Sequence, residues 1–269
     1  MTSLDKMLEI MNYFDEDNLS IDVSRAAELT GTSRATAYRY IQSLTKSGLL
    51  MAAAGGNYVL GSRIIELEMV IRESDPLLRA ARRLIRRNSE DLDLNIMLCS
   101  YYGDKVLCAD FAWPDRSIEE IYKRGRAMPI FRGAMAKIIL AHLSLAQLKN
   151  VYRWNEEEIR EIGLAADWDE FRKAMSVMRS DGYAVTHSEV FEGLVGIAAP
   201  VRDTEKRILG SVVFVVAQER FAKFDLSQLI SEICRISAEI EEGVSRLMRG
   251  SDDASVYAAR LKRPVATGA

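Results

Sequence analysis

Cysteine is scarce in this chain: three residues in 269, at positions 99, 108 and 234, each inside an apolar run. An odd, small number excludes a fold stapled by disulfides and reads as buried, reduced thiols. Histidine is scarcer still, with two residues, His142 and His187. No Cys/His spacing suits a metal site, and no catalytic constellation surrounds either imidazole. No Gly-rich phosphate loop follows a strand, so no cofactor is expected. Long hydrophobic runs are missing as well: the longest, near 194–201 and 208–217, fall far short of the roughly 20 residues that span a bilayer. The start, Met1-Thr2-Ser3-Leu4-Asp5-Lys6, lacks a basic region followed by an apolar core, so no export signal or membrane partner is read and a cytoplasmic protein is expected. Nor is there an excess of positive charge. The formal net charge of −3 argues against a protein that coats nucleic acid without discrimination.

What is present is a chain with 48% hydrophobic residues and room for two domains. Its charge is unevenly placed. Between positions 24 and 63 stand Arg25, Arg34, Arg39, Lys46 and Arg63 against the single acid Glu28, a local net of +4. That is the footprint of selective DNA binding at a few phosphates.

The same stretch carries a helix-turn-helix pattern. Val23, Ala26, Ala27 and Thr30 form a short helix behind Asp22 as N-cap, and Gly31 supplies a left-handed turn. In the next helix Ala37, Ile41 and Leu44 recur on one apolar face, while Ala35, Arg39, Gln42 and Lys46 lie opposite with Tyr38 on the flank. Such a face suits the major groove: Arg grips guanine, Gln adenine, and an alanine methyl touches thymine. Arg34 and Thr36 in the first turn complete the expected double-stranded DNA contacts, Arg34, Ala35, Thr36, Tyr38, Arg39, Gln42 and Lys46. Gly48 ends this helix, and 49–51 and 58–60 around Gly55-Gly56 read as the two strands of a wing.

Further along, Leu4, Met7, Leu8, Met11 and Phe14 predict a first helix. Ile64, Ile65, Leu67, Val70 and Ile71 predict a linker helix with more apolar surface than one buried face needs. Asp75-Pro76 breaks it. The following helix, 77–88, bears Arg79, Arg82, Arg83, Arg86 and Arg87 as a continuous basic stripe. A solvated face is the expectation, with DNA phosphate or another subunit as the alternatives. Strands are predicted at 94–101 and 105–111 around Gly103-Asp104, at 117–123, 183–187, 195–201 and 207–217. Helices are predicted from Ala134 to His142, from Trp168 with an Asp167/Glu170 capping box to Ser180, and from Asp225 to about Met248. Strands and helices grouped in this way predict an α+β domain with an antiparallel sheet. Glu189 and Glu192 beside Gly193 are candidate polar anchors at a pocket rim, or solvated loop acids. The tail, 250–269, reads as disordered.

From about Leu4 to Met248 the chain resembles the IclR family of bacterial transcriptional regulators. The N-terminal resemblance runs through Ala26-Ala27-Glu28-Leu29-Thr30-Gly31, Thr36-Ala37-Tyr38-Arg39-Tyr40-Ile41, Gly48-Leu49-Leu50 and Tyr58-Val59-Leu60-Gly61. The C-terminal one runs through Arg124-Gly125-Arg126-Ala127-Met128-Pro129, Gly182-Tyr183-Ala184-Val185 and Gly193-Leu194-Val195-Gly196-Ile197-Ala198-Ala199-Pro200-Val201. The resemblance implies an N-terminal winged helix-turn-helix (1–61), a linker helix (62–75) and a GAF-like effector-binding domain (76–249). It also implies operator DNA and a small-molecule effector as partners, a homodimer formed through the N-terminal region, and often a dimer of dimers. A C-terminal domain that is an enzyme or a pure oligomerisation module is the alternative.

The family's pocket lies between the sheet and the loop before the Ala134 helix. The resemblance therefore places Phe131, Arg132, Gly133, Ala134, Met135, Glu189, Gly196, Val213 and Val215 at the effector. The chain departs from the family in three ways: Phe131 stands for a usual His, Gly196 for a usual Cys, and Val213 and Val215 for Ser. With those donors gone, an aromatic or otherwise bulky apolar effector is expected over glyoxylate- or pyruvate-like acids. Backbone amides at 133–135 remain to receive one anionic or carbonyl group.

Overall fold

A computed structural model describes residues 2–103, 105–116, 118 and 122–249. The chain divides into two compact units between Ser74 and Asp75.

In the first unit the first three helices start on a side-chain cap. Thr2 and Asp5 form a reciprocal capping box for α1, Ser3–Asn12. Asp22 accepts the Arg25 amide at 2.8 Å to start α2, Val23–Thr30. Ser33 accepts the Thr36 amide at 3.3 Å to start α3, Arg34–Lys46. Gly31 joins α2 to α3 at φ 59°, a left-handed conformation in which a side chain would be strained. Two short antiparallel strands follow, β1 (Leu50–Ala52) and β2 (Tyr58–Leu60), in register Leu50 with Leu60. Ile21 bridges to Tyr58 on the outer side. Ile10, Ile21, Ala26, Ala37, Ile41, Leu44 and Leu50 make the core. The small side chains of Ala26 and Ala37 allow α2 and α3 to cross closely. The unit ends with α4, Arg63–Ser74, which has no buried residue and exposes Ile65, Leu67, Met69, Val70 and Ile71.

The second unit opens with α5, Pro76–Leu92, whose cap Asp75 accepts the amides of Leu77 and Leu78 at 2.8 and 3.2 Å. Strands β3 (Asn95–Tyr101), β4 (Val106–Ala112) and β5 (Ala127–Met128) follow. Next come helices α6 (Ala134–Ala141), α7 (Leu145–Trp154), α8 (Glu156–Glu161) and α9 (Trp168–Asp181). Then β6 (Ala184–His187), β7 (Leu194–Arg202), β8 (Ile208–Ala217), α10 (Gln218–Phe221) and α11 (Leu226–Arg249) complete the unit. The strands form one antiparallel sheet in the order β5-β4-β3-β8-β7-β6.

Alternation along the strands splits the interior into two cores. Ile96, Leu98, Val195, Ile197, Val212 and Phe214 meet α5 and α11 on one face. There Leu229, Ile233, Ile236, Ile240 and Val244 line one stripe of α11. Met97, Cys99, Ala198, Val213 and Val215 meet α6 and α9 on the other. Each fully buried Ile, Leu or Phe contributes roughly 1.5–3 kcal/mol, so the central strands, covered on both faces, anchor the unit.

Several expectations change. The strand expected at 117–123 and the tail at 250–269 lie outside the described residues, apart from Ile118, Tyr122 and Lys123, which are in no strand; Asp104 of the expected hairpin turn lies outside them too. Asp167 does accept the Glu170 amide at 2.9 Å, but the Glu170 carboxylate takes the amide of Ala166 instead of the cap residue. The helices α7 and α8 have no counterpart among the expected elements, although Ser144 and Gln147 form the capping box that announces α7.

Candidate DNA-reading helix and effector cavity

On α3 the buried line Ala37, Ile41, Leu44 turns the opposite face outward. Arg34, Ala35, Tyr38, Arg39, Gln42 and Lys46 are exposed, and Thr36 is half-buried. The local charge is resolved by ion pairing. Arg25 is paired with Glu28 at 3.2 Å and Arg63 with Glu66 at 2.5 Å. Among the described residues Arg34, Arg39 and Lys46 have no acidic partner, so the unneutralised cations of this segment all sit on α3. Ser43, absent from the expected contacts, is exposed on the same side and donates its hydroxyl to the Arg39 carbonyl at 3.0 Å.

The second site is a cavity of about 20 Å³ between α6 and the sheet, room for a single water. Of the residues named for the effector, Gly133, Ala134, Met135, Glu189, Gly196, Val213 and Val215 line it. Phe131 and Arg132 do not. A phenyl ring in place of an imidazole needs no polar partner, and Phe131 is fully buried in the core, whereas Arg132 is exposed to solvent. Sequence reasoning missed Met97, Tyr122, Thr186, Val190, Phe191, Leu194 and Val195. Strand register explains Met97: it lies directly opposite Val213, as Gly196 lies opposite Val215. Tyr122 and Phe191 meet edge to face at 5.4 Å between ring centroids, and Arg126 stands over Phe191 at 6.0 Å.

Gly133 holds φ 82°, and a Cβ there would lie 2.7 Å from both Met135 Sδ and Val190 Cγ2. Only glycine fits. Two of the amides at the start of α6 are already engaged: Gly133 N–H donates to Glu189 Oε2 at 2.9 Å, and Ala134 N–H to Thr186 Oγ1 at 3.0 Å. Lys137 Nζ donates to Glu189 Oε1 at 2.6 Å.

Other chemistry-bearing residues have structural partners. Arg220 pairs with Asp93 at 2.6 Å and Asp115 at 2.9 Å. His187 contacts Gln218 at 3.2 Å, and His142 Nδ1 lies 2.9 Å from the Ile138 carbonyl, with burial lowering its pKa. Cys99 and Cys108 lie opposite each other on β3 and β4. Burial pushes the Cys99 thiol well up and the Cys108 thiol to about 12, which makes both poor nucleophiles. Among the described residues no cluster of His, Cys, Asp and Glu could hold a metal ion, and no helix is long and apolar enough to cross a membrane.

Known proteins share this arrangement. Residues 3–52 match the IclR helix-turn-helix domain, and residues 70–242 match the C-terminal domain of bacterial IclR transcriptional regulators. The HTH-type transcriptional regulator KipR of Bacillus subtilis is 20% identical over 89% of this chain and 95% of its own length. The Pca regulon regulatory protein of Pseudomonas putida is 24% identical over 85% of this chain and 78% of its own. In fold, the chain is similar to an IclR transcriptional regulator of Silicibacter sp. TM1040, with a TM-score of 0.74 at 20% identity over 91% of this chain and 97% of that one. It is also similar to an IclR homolog of Microbacterium hydrocarbonoxydans complexed with 4-hydroxybenzoate, with a TM-score of 0.73 at 17% identity over 93% and 100%. The two curated relatives are regulators and not enzymes. With both family domains matched in order and the reading helix exposed, this chain belongs to the IclR family of bacterial transcriptional regulators.

Proposed function

We propose that this regulator controls a catabolic operon, and that its effector is an aromatic or otherwise bulky apolar acid bound between α6 and the sheet. The apolar and aromatic lining of the cavity carries this reading. Tyr122, Met97, Met135, Val213 and Val215 supply ring, thioether and methyl contacts, where hydroxyls and a thiol would be needed to fix a two- or three-carbon acid. The similar Microbacterium protein, complexed with the aromatic acid 4-hydroxybenzoate, supports the same class. Since the cavity now holds one water at most, binding must displace part of its wall.

The operator is read by Arg34, Ala35, Thr36, Tyr38, Arg39, Gln42 and Lys46. The acting species is a cytoplasmic homodimer that pairs through the uncovered apolar residues of α1 and α4, and it binds a palindromic site. Calorimetry with 4-hydroxybenzoate, benzoate, pyruvate and glyoxylate tests the effector class. Saturable binding of an aromatic acid is expected. Tight binding of a two- or three-carbon acid, with none of the aromatic ones, would overturn it.

A further inference from the structure

The seat that an acid effector would use is occupied by the protein's own carboxylate. Both oxygens of Glu189 are engaged, one by the Gly133 amide at the start of α6 and one by Lys137 a turn later. We propose that Glu189 is a built-in counter-ligand, and that a carboxylate effector binds by expelling it together with the strap 188–193. The proposal rests on the acid-effector reading above.

Charge comes first. One carboxylate balances one ammonium and the positive end of α6. Lys137 and Glu189 are both largely shielded, with side chains 13% and 30% exposed. A second carboxylate placed beside Glu189 would meet a like charge in a poorly hydrated pocket. An acid must therefore replace Glu189 to use this seat.

Space gives the same answer independently. A cavity of about 20 Å³ is too small for even the smallest carboxylate. Glu189, Val190 and Phe191, three consecutive residues of the strap, all wall it. Removing them opens the cavity next to the Gly133 amide.

The strap is also the wall segment that can leave at least cost. The ladder of β6 with β7 ends at His187 with Val195, so the strap stands outside it. Its own backbone is tied at its base, by Ser188 N–H to the Leu194 carbonyl at 2.8 Å, Gly193 N–H to Ser188 Oγ at 3.0 Å, Leu194 N–H to the Phe191 carbonyl at 3.3 Å and Gln218 N–H to the Gly193 carbonyl at 2.8 Å. Both ends turn through left-handed conformations, Ser188 at φ 52° and Gly193 at φ 74°. Outward movement therefore breaks no strand pairing. It exchanges the Glu189 contacts for equivalent ones from the effector and gives up the Phe191 contacts with Tyr122 and Arg126, which the apolar body of the effector must replace.

The test uses the full-length protein as wild type, Glu189→Gln, and Glu189→Gln combined with Lys137→Met. Each is titrated with sodium formate, acetate and benzoate, against sodium chloride at equal ionic strength and against neutral benzamide. Thermal shift and calorimetry are the readouts, and circular dichroism checks that the variants fold. Glu189→Ala serves as a second variant that also removes the carboxylate. Carboxylates should bind Glu189→Gln at least tenfold more tightly than wild type, benzamide should not gain, and Lys137→Met should abolish the gain. If no carboxylate gains, or benzamide gains as much, Glu189 is not a counter-ligand. A gain for formate and acetate with no benzoate binding would uphold the counter-ligand and sink the aromatic reading. Benzoate binding equal in wild type and Glu189→Gln would do the reverse.

Discussion

Arg39 reaches back one turn along α3 and places Nη2 3.3 Å from the hydroxyl of Thr36, which also accepts from Ser33 Oγ at 3.1 Å. The N-cap and the central arginine of the reading face thus converge on one oxygen. An exposed hydrogen bond of this kind nets about 0.5–1.5 kcal/mol, less than the roughly 1–3 kcal/mol of a bidentate contact to guanine. DNA can take the guanidinium away from Thr36.

Arg39→Ala should therefore weaken operator binding by about 1–3 kcal/mol and relax selectivity at one base position. Lys46→Ala should weaken all sequences alike and reduce the salt slope by about one. Mobility shifts on an operator and its single-base variants, at two salt concentrations, separate the two roles. Unchanged base selectivity in Arg39→Ala would remove it from the reading set.

Replacing Ile65 and Met69 on α4 with Glu should convert a dimer to a monomer in sedimentation velocity. These residues are 73% and 58% exposed, so the folded unit loses little by the change. Operator affinity should fall steeply, because each reading helix would then bind without its linked twin. A dimer that survives the double substitution places the interface elsewhere.

The arginine stripe of α5 is exposed, and among the described residues only Arg87 of the stripe has an acidic partner, Asp91 at 3.8 Å. As a solvated face it predicts little: changing Arg82, Arg83 and Arg86 to Gln should leave the salt slope and the oligomeric state unchanged. Relief of like-charge pairs three and four residues apart should raise stability by about 0.2–0.5 kcal/mol per pair. A flattened salt slope would assign the stripe to phosphate, and dissociation on dilution would assign it to a subunit contact.

A Cβ at Gly196 would meet Thr186 Oγ1 at 3.3 Å and the Ala134 Cβ at 3.5 Å, so α6 leaves little room above the strand. Gly196→Phe should block aromatic acids, and it should also lower stability by about 1–3 kcal/mol by levering α6 outward. Gly196→Ala should fold normally and bind the same acids more weakly. Calorimetry on both variants, with urea melts alongside, tests this; undiminished binding by Gly196→Phe would move the effector to another site.

Burial lowers the pKa of His142 from its ordinary 6.5, since the neutral ring is the form the interior tolerates. A depressed pKa in the fold means that the unfolded chain takes up the proton first. The stabilisation is present above about pH 6.5 and is lost as pH falls through the lower, folded value. Urea melts between pH 7 and 5 should show this decline, and His142→Gln should make it shallower. An unchanged pH profile in the variant would assign the decline to other groups.

How much of the molecule is legible in its sequence varies with the range of the interaction concerned. Asp22, Gly31 and Ser33 act on residues within five positions of themselves. Their spacing against Ala37, Ile41 and Leu44 therefore defines the helix-turn-helix and its outward face from residue order alone. The same holds for Val213 and Val215, whose alternation with Val212 and Phe214 puts them on one side of a strand. The Ser144/Gln147 capping box of α7 is equally local, and residue order announces that helix as well.

The amino-acid sequence by itself determined the helix-turn-helix, the two-part organisation and the antiparallel α+β class, because caps, turns and hydrophobic periods are local. Only the tertiary structure decided the lining of the cavity between α6 and the sheet. The order β3-β8-β7 brings Met97 opposite Val213 and Gly196 opposite Val215 across the shared strand β8, and nothing in the side-chain types separates these residues from ordinary core. It also drew Phe131 inward and left Arg132 in water. For Glu189 the difference is sharpest. An acid in a loop is solvated by default, and it gained its partners when chain closure set it against the Gly133 amide and Lys137, more than fifty residues away in sequence. Contacts of that range depend on which strands pair, and strand pairing is settled by burial summed over the whole sheet.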